Sequence, residues 1–227
     1  MAALKFSLIP MIAIMIGALV AGWRTPGEKL VAAMQHLAAG VVFAAAATEI
    51  LPLVVHGGSP TATLIGGAVG VAVMLCLKAA EARFEGPVAL LAAIGLDLAI
   101  DGLVLGLAFI AGEKAGTLLA VALTLEVLFL ALTLTNDLAS RYRKLKAIGL
   151  TCALALLVPI GALVAQPVAL LSPAWITGFL SFGLMALLYL VTEELLVEAH
   201  EKPDTPLISA MFFAGFLALL LIEEIAL

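Results

Sequence analysis

Apolar residues run along this chain in long stretches, interrupted by short knots of Gly, Pro and charge. Cutting at those knots leaves eight segments, at about 6–22, 30–55, 61–80, 87–111, 115–135, 147–170, 174–199 and 206–227. Each is close to the ~20 residues a helix needs to cross a ~30 Å hydrocarbon core. The segments are continuously apolar and do not alternate. That excludes the strands of a barrel and predicts helices, which satisfy their own backbone polar groups in lipid. The pattern therefore predicts an all-α, polytopic membrane protein of eight transmembrane helices. The connections are too short to hold a soluble domain, so residues 1–227 are read as a single transmembrane domain. Lys5 ahead of the first apolar run gives it the look of a signal peptide, but seven further spans follow, and it is read as the first helix.

Composition agrees with the pattern. The chain is 64% hydrophobic and 12% charged, against about 45–50% and about 25% for a soluble domain, which excludes a water-soluble fold. Loops after odd-numbered helices hold Arg24, Lys29, Lys78, Arg83, Arg141, Arg143, Lys144, Lys146 and Lys202, nine of the eleven basic residues. The other side has Lys5 and Lys114. Positive charge marks the cytoplasmic side, so both termini are expected outside. The net charge of −5 says little about partners, because several acids lie within the spans. Cys76 and Cys152 stand alone in separate helices and are read as packing residues.

Sliding the chain against itself gives one productive offset, 144 residues. Ile16-Gly17-Ala18-Leu19-Val20-Ala21 recurs as Ile160-Gly161-Ala162-Leu163-Val164-Ala165. Thr48-Glu49-Ile50-Leu51 recurs as Thr192-Glu193-Glu194-Leu195, and His56 falls opposite His200. The shift maps helices one, two and three onto six, seven and eight, five helices along, so the copies cross the membrane in opposite directions. The expected plan is a 3+2+3 inverted-repeat bundle: repeat 1 over 1–84, a central helix pair over 86–139, and repeat 2 over 145–227. Secondary transporters recurrently use this plan.

Candidate chemistry sits in the acids of the spans. Glu49 lies on helix two, Asp97 and Asp101 on helix four, Glu126 on helix five, and Glu193 and Glu194 on helix seven. A charge near a helix centre costs about 2.5–3.5 kcal/mol on insertion scales and normally finds an opposite charge. No Lys or Arg lies deep in any span, which leaves bound protons or a bound metal as the neutralising partner. Asp97 and Asp101, four apart, share one face of helix four about 6 Å apart along the axis. Asp101 precedes Glu113 by twelve residues and Glu126 follows Lys114 by twelve, so a tight turn between the helices sets both at one depth. Two or three carboxylates at one level suit a hard or borderline divalent ion; a shared proton or a helix cap is the structural alternative. Glu49 and Glu193, toward opposite ends, extend this to a ladder of loading, transport and release positions. Glu194 and Glu198 fit either that ladder or a solvated helix end beside His200, Glu201 and Asp204. His36 is read as a hydrogen-bonded packing histidine. Small residues, including Ala38-Ala39-Gly40 and the Gly102/Gly106 pair, permit close helix approach.

These residues resemble the ZIP family of zinc and iron transporters over nearly the whole chain. Ala38-Ala39-Gly40-Val41 through Leu51-Pro52 looks like the family's second helix. Asp97-Leu98-Ala99-Ile100-Asp101-Gly102 is similar to its fourth-helix His-Asn-x-x-Glu/Asp-Gly motif, and Leu188 through His200 resembles the seventh helix of bacterial members. Asp97 and Leu98 stand where the family has His and Asn. Leu125-Glu126-Val127-Leu128-Phe129-Leu130 keeps one acid where the family clusters His, Asp and Glu around a Pro. Glu49 stands where members carry His, Ser or Met. One metal site is therefore expected, not two. Oxygen ligands in place of imidazole suit harder ions, so manganese, ferrous iron, cadmium or magnesium are expected beside zinc.

The resemblance implies a carrier in the bacterial inner (cell) membrane that moves a divalent metal cation toward the cytoplasm by rigid-body helix movement, without ATP. The metal is substrate; no cofactor is expected, nor any nucleic acid as partner beside the lipid bilayer. No phosphate-binding Gly-rich loop is present in the sequence. Protons are candidate co-substrates, because metal binding needs deprotonated carboxylates, and a homodimer is a candidate assembly. An enzyme is not expected: Ser181 lacks a Gly-x-Ser-x-Gly setting and the acids carry no aspartyl-protease signature. The competing transport reading is a proton-coupled carrier of an organic solute, in which the acids titrate and bind no metal.

Overall fold

Proline opens four of the helices, at Pro60, Pro87, Pro173 and Pro206, where its missing N–H would have had no intrahelical partner. The computed structural model describes the chain apart from residues 1, 24–26, 84–85, 202–204 and 227. Arg24, Lys202 and Asp204 thus lie outside the described residues. All regular structure among the described residues is helical, and eight helices are long and apolar enough to span a membrane. They are α1 (Ala2–Trp23), α2 (Glu28–His56), α3 (Pro60–Arg83), α4 (Pro87–Ala111), α5 (Glu113–Arg141), α6 (Lys144–Leu170), α7 (Pro173–His200) and α8 (Pro206–Ala226). The protein is a multi-pass, all-α membrane protein.

Bounds match the apolar segments to within a few residues, except that α5 runs on through Asn136 and Asp137 to Arg141. Three helices are irregular. In α6 the α-helical path breaks after Leu154 and resumes at Leu157, because Pro159 has no N–H to bond Ala155 four residues back. In α2 and α7 the ladder widens to π-helix at Ala46–Ile50 and Val191–Leu195. These stretches begin 145 positions apart (46 to 191), within one residue of the repeat offset. The turn after α2 closes through Gly58, whose φ of 65° favours a residue without Cβ.

Long-range packing pairs helices distant in sequence: α1 lies along α5, α4 along α6, α2 along α8 and α3 along α7, with α4 and α5 also touching as a hairpin. Short connections alternate the helix directions. One end of the bundle thereby collects Lys78, Arg83, Arg141, Lys144 and Lys146, and the other the α4–α5 turn with Lys114. Glycines set the closest crossings. A Cβ on Gly17 of α1 would meet the Leu128 carbonyl of α5 at 2.6 Å, and one on Gly161 of α6, 144 positions on, would strike the Ala99 carbonyl of α4. Gly40 of α2 likewise abuts the Phe212 backbone of α8, and Gly66 of α3 that of Gly178 of α7. With no water to drive helices together in lipid, this fit supplies the association energy.

The outside is apolar. Ile9, Ile12, Ile16 and Leu19 of α1, and Leu217, Leu221 and Ile222 of α8, are all exposed, as a lipid-facing surface requires. Trp23 and Trp175 stand exposed at opposite ends, where an aromatic belt meets the two headgroup layers. Cys76 is exposed on α3, so it is not the packing residue expected from the sequence; Cys152 is partly buried.

Candidate metal centre

Asp97 and Asp101, one helical turn apart on α4, face Glu126 of α5, and each offers an oxygen within 4.8 Å of the others. Two constraints hold them level. The α4–α5 turn is Gly112 alone, which fixes the register of the hairpin. Gly102, next to Asp101, presses on the Val158 backbone of α6, so α4 cannot back away. Asp101 and Glu126 are each 2% exposed, and Asp101 Oδ2 and Glu126 Oε2 are buried with no hydrogen-bond partner. Asp97 is only partly buried.

Magnitudes decide what such a cluster can hold. Two like charges at this separation repel by about 3–4 kcal/mol at an effective dielectric of ~20. Three fully ionised carboxylates would store on the order of 10 kcal/mol, comparable with the ~5–15 kcal/mol stability of a whole fold. The cluster is therefore stable when it shares protons or when a multivalent cation sits among the oxygens.

Among the described residues a cavity reaches the cluster from the basic end. Ala89, Leu90, Ala93 and Ile94 descend one face of α4 from the basic end and line, with Asp97, Glu194 and others, a cavity of about 380 Å³. From Gly86 to Asp97 is about 16 Å along a helix. A neighbouring cavity of about 240 Å³ shares Leu90, Ile94, Leu130 and Glu198 and adds Asp137 and Glu201, so the way from that end is lined by acids together with Arg141. Beyond Asp101 the path closes. Val104, Leu105 and Ala108, the next turns of the same helix, are 1%, 0% and 0% exposed and belong to the main apolar core.

Of the six acids singled out in the sequence, three meet here and Glu194 lines their cavity. The other two, Glu49 and Glu193, are elsewhere and have lysine partners, a correction to the expectation that no base reaches the intramembrane acids. Glu49 Oε1 is 3.8 Å from Lys114 Nζ, which also pairs at 3.2 Å with Glu223 of α8. Glu193 Oε2 is 3.4 Å from Lys78 Nζ. The same ammonium donates a 2.7 Å hydrogen bond to the Glu193 carbonyl, inside a π-stretch whose wider turns interrupt the regular bonding. Both lysines sit near helix ends and reach inward on their long stems, as basic residues in membranes do. Glu223 was missed in the sequence; its signal was that Lys114 is one of two lysines on its side, Lys5 being the other.

His36 makes the hydrogen bond expected of it: Nδ1 donates to the Ala32 carbonyl at 2.9 Å. It also has a neighbour that sequence separation concealed, the His200 ring at 5.0 Å. Beside them Gln35 Nε2 donates to Glu198 Oε2 at 2.7 Å, tying α2 to α7.

The fold and site together define a multi-pass helical membrane protein with a buried acidic cluster reached from one end. No protein-family model matches the chain, and no curated protein matches it.

Proposed function

We propose that this protein is a secondary transporter of divalent metal cations, of the kind the ZIP resemblance implies, with Asp97, Asp101 and Glu126 as its transport site. The observation that carries the reading is the convergence of three carboxylate oxygens within 4.8 Å, two of the residues being 2% exposed. A divalent ion is the partner that relieves that repulsion and uses oxygens lacking hydrogen bonds. Zinc, manganese, ferrous iron, cadmium and magnesium are all compatible with an all-oxygen donor set. The centre is a single site, and Glu194 stands next on the way out.

Three further features support a carrier built on inverted repeats. Gly17 and Gly161, repeat mates, make equivalent close contacts with α5 and α4. The neighbour pairs α1/α5 and α6/α4, and α2/α8 and α7/α3, exchange under the same mapping. The two π-stretches occupy matching places. With the basic end as the cytoplasmic one, the site is open inward and sealed outward, one of the two states that alternating access needs. Protons take the metal's place on the carboxylates during the return.

Calorimetric titration of the purified protein with zinc, manganese and magnesium tests the reading. Binding in the wild type, lost in the Asp101→Asn/Glu126→Gln variant, is expected. Absence of any heat with every divalent ion, together with proton uptake on adding organic solutes, would establish the solute carrier instead.

A further inference from the structure

Helices α3 and α7 run in the same direction and begin at the same end of the bundle, the one opposite the basic end. They cross so closely that a Cβ on Gly66 of α3 would strike the Gly178 carbonyl of α7. Their starts are built alike. Ser59 and Ser172 are each followed by a proline, Pro60 and Pro173, and the first backbone bonds run back to those serines. Thr63 N–H donates to the Ser59 carbonyl at 2.9 Å, and Ile176 N–H to that of Ser172 at 3.1 Å. The proline nitrogens carry no hydrogen, so each start leaves two N–H groups with no partner in its helix: those of Thr61 and Ala62, and those of Ala174 and Trp175. The Ser172 hydroxyl does not cap its pair. All four residues line one cavity of about 350 Å³.

The rest of that cavity is apolar. Its walls include Ile65, Val69, Phe179 and Phe182, and Ile65 and Val69 are exposed on the flank of the bundle. From Ser59 to Val69 is about 15 Å of helix, half of a ~30 Å hydrocarbon core and hence the depth of one leaflet. Trp175, 65% exposed, marks the headgroup level at the mouth. Size selects the occupant. A helix of a second copy, about 10 Å across, would need about 1,200 Å³ over that length. One hydrocarbon chain, about 4–5 Å across at van der Waals contact, needs about 200–300 Å³. Two parallel helix starts set partial positive charge and N–H donors at the top of the groove, an arrangement that receives a phosphate.

We propose that the α3–α7 groove is a binding site for one phospholipid of the leaflet at the Lys114 end, its phosphate held by the N–H groups of Thr61, Ala62, Ala174 and Trp175 and one acyl chain lying between the helices. Residues as small as Ala62, Gly66 and Gly178 let the backbones touch at the crossing and leave a furrow beside it, which the chain fills. A headgroup without positive charge of its own is favoured, because the helix starts already supply it. The groove shares no lining residue with the cavities beside the carboxylate centre, so the lipid site stands or falls independently of metal transport.

The test uses the full-length protein in detergent, with Trp23→Phe so that Trp175 alone reports. Phosphatidylglycerol with brominated acyl chains is expected to quench Trp175 saturably, with one lipid retained per chain in native mass spectrometry. Ala174→Asp puts a carboxylate at the start of α7, where it suits the helix and takes the phosphate's place. That variant should fold as well as its parent and bind the lipid at least tenfold more weakly. Brominated diacylglycerol, which has the chains without the phosphate, should also bind at least tenfold more weakly, and glycerol 3-phosphate, which lacks the chains, should not compete. Equal quenching by the two lipids, or an affinity unchanged in Ala174→Asp, refutes the site. Cross-linking of two copies through Ile65→Cys in membranes, in a Cys76→Ser/Cys152→Ser background, would put a second chain on the groove and overturn the proposal as well.

Discussion

Glu49 and Glu193, 144 positions apart, each lie in a π-helical stretch and are each held by a lysine from another helix, Lys114 at 3.8 Å and Lys78 at 3.4 Å. The two pairs sit at opposite ends of the bundle. Lys114 is the more consequential, because it draws α2, α5 and α8 together through Glu49 and Glu223 just where the path from Asp101 is closed.

Loosening that contact is predicted to open the Lys114 end of the bundle. The Lys114 side chain is 43% exposed but its partner Glu49 only 8%, so the pairs are screened on one side and their loss leaves a buried carboxylate without its cation, which lowers stability. The effect should also appear in access. A cysteine placed at Ala108, which is fully buried, in a Cys76→Ser/Cys152→Ser background should resist a water-soluble thiol reagent. Adding Lys114→Met should raise its labelling rate several-fold. An unchanged rate would show that the ion pairs do not hold this end shut.

Metal should stabilise the fold through the same carboxylates. A ligand at 100 times its Kd adds about 2.7 kcal/mol to unfolding free energy, which thermal melts in detergent resolve easily. Asp101→Asn/Glu126→Gln should abolish this increment. Without metal the variant should melt at or above the wild-type temperature, because the change removes like-charge repulsion. A variant less stable than wild type without metal would place the carboxylates in a structural role.

Acid should weaken binding. The ion requires ionised carboxylates and displaces their protons, so affinity falls as pH falls, by up to about tenfold per pH unit for each proton released. Calorimetry in buffers of different ionisation enthalpy counts those protons. At least one per ion is expected, and none would mean that the cluster is already fully ionised without metal.

Two glycines of α6 should respond in opposite ways. Gly161 faces the α4 backbone, where a Cβ would strike the Ala99 carbonyl, whereas a Cβ on Gly149 would meet nothing within 4 Å. Gly161→Val should cost upward of about 1–3 kcal/mol from overpacking. Gly149→Ala should be neutral or stabilise by up to about 1 kcal/mol from helix propensity. Melting temperatures of the two variants decide it.

Much of this was legible in the sequence because hydrophobic length and helix period are local. Eight apolar stretches became eight helices, and twelve-residue spacings from a tight turn did set Asp101 level with Glu126. What stayed hidden was contact between helices distant in the chain. Nothing local tells that Lys114 reaches Glu49 or that His36 meets His200, since helix order within the bundle follows from glycine crossings such as Gly40 on Phe212. The π-stretches were equally invisible, because they answer to packing and not to propensity.

The central claim is that the Asp97, Asp101 and Glu126 cluster carries a divalent ion across the membrane. It is tested most directly by flux into proteoliposomes of defined lipid, with zinc and manganese followed by an internal fluorescent chelator. The account predicts saturable uptake without ATP by the wild type, reduced to the protein-free leak by Asp101→Ala and by Glu126→Ala. Zinc and manganese uptake undiminished in both variants would contradict it.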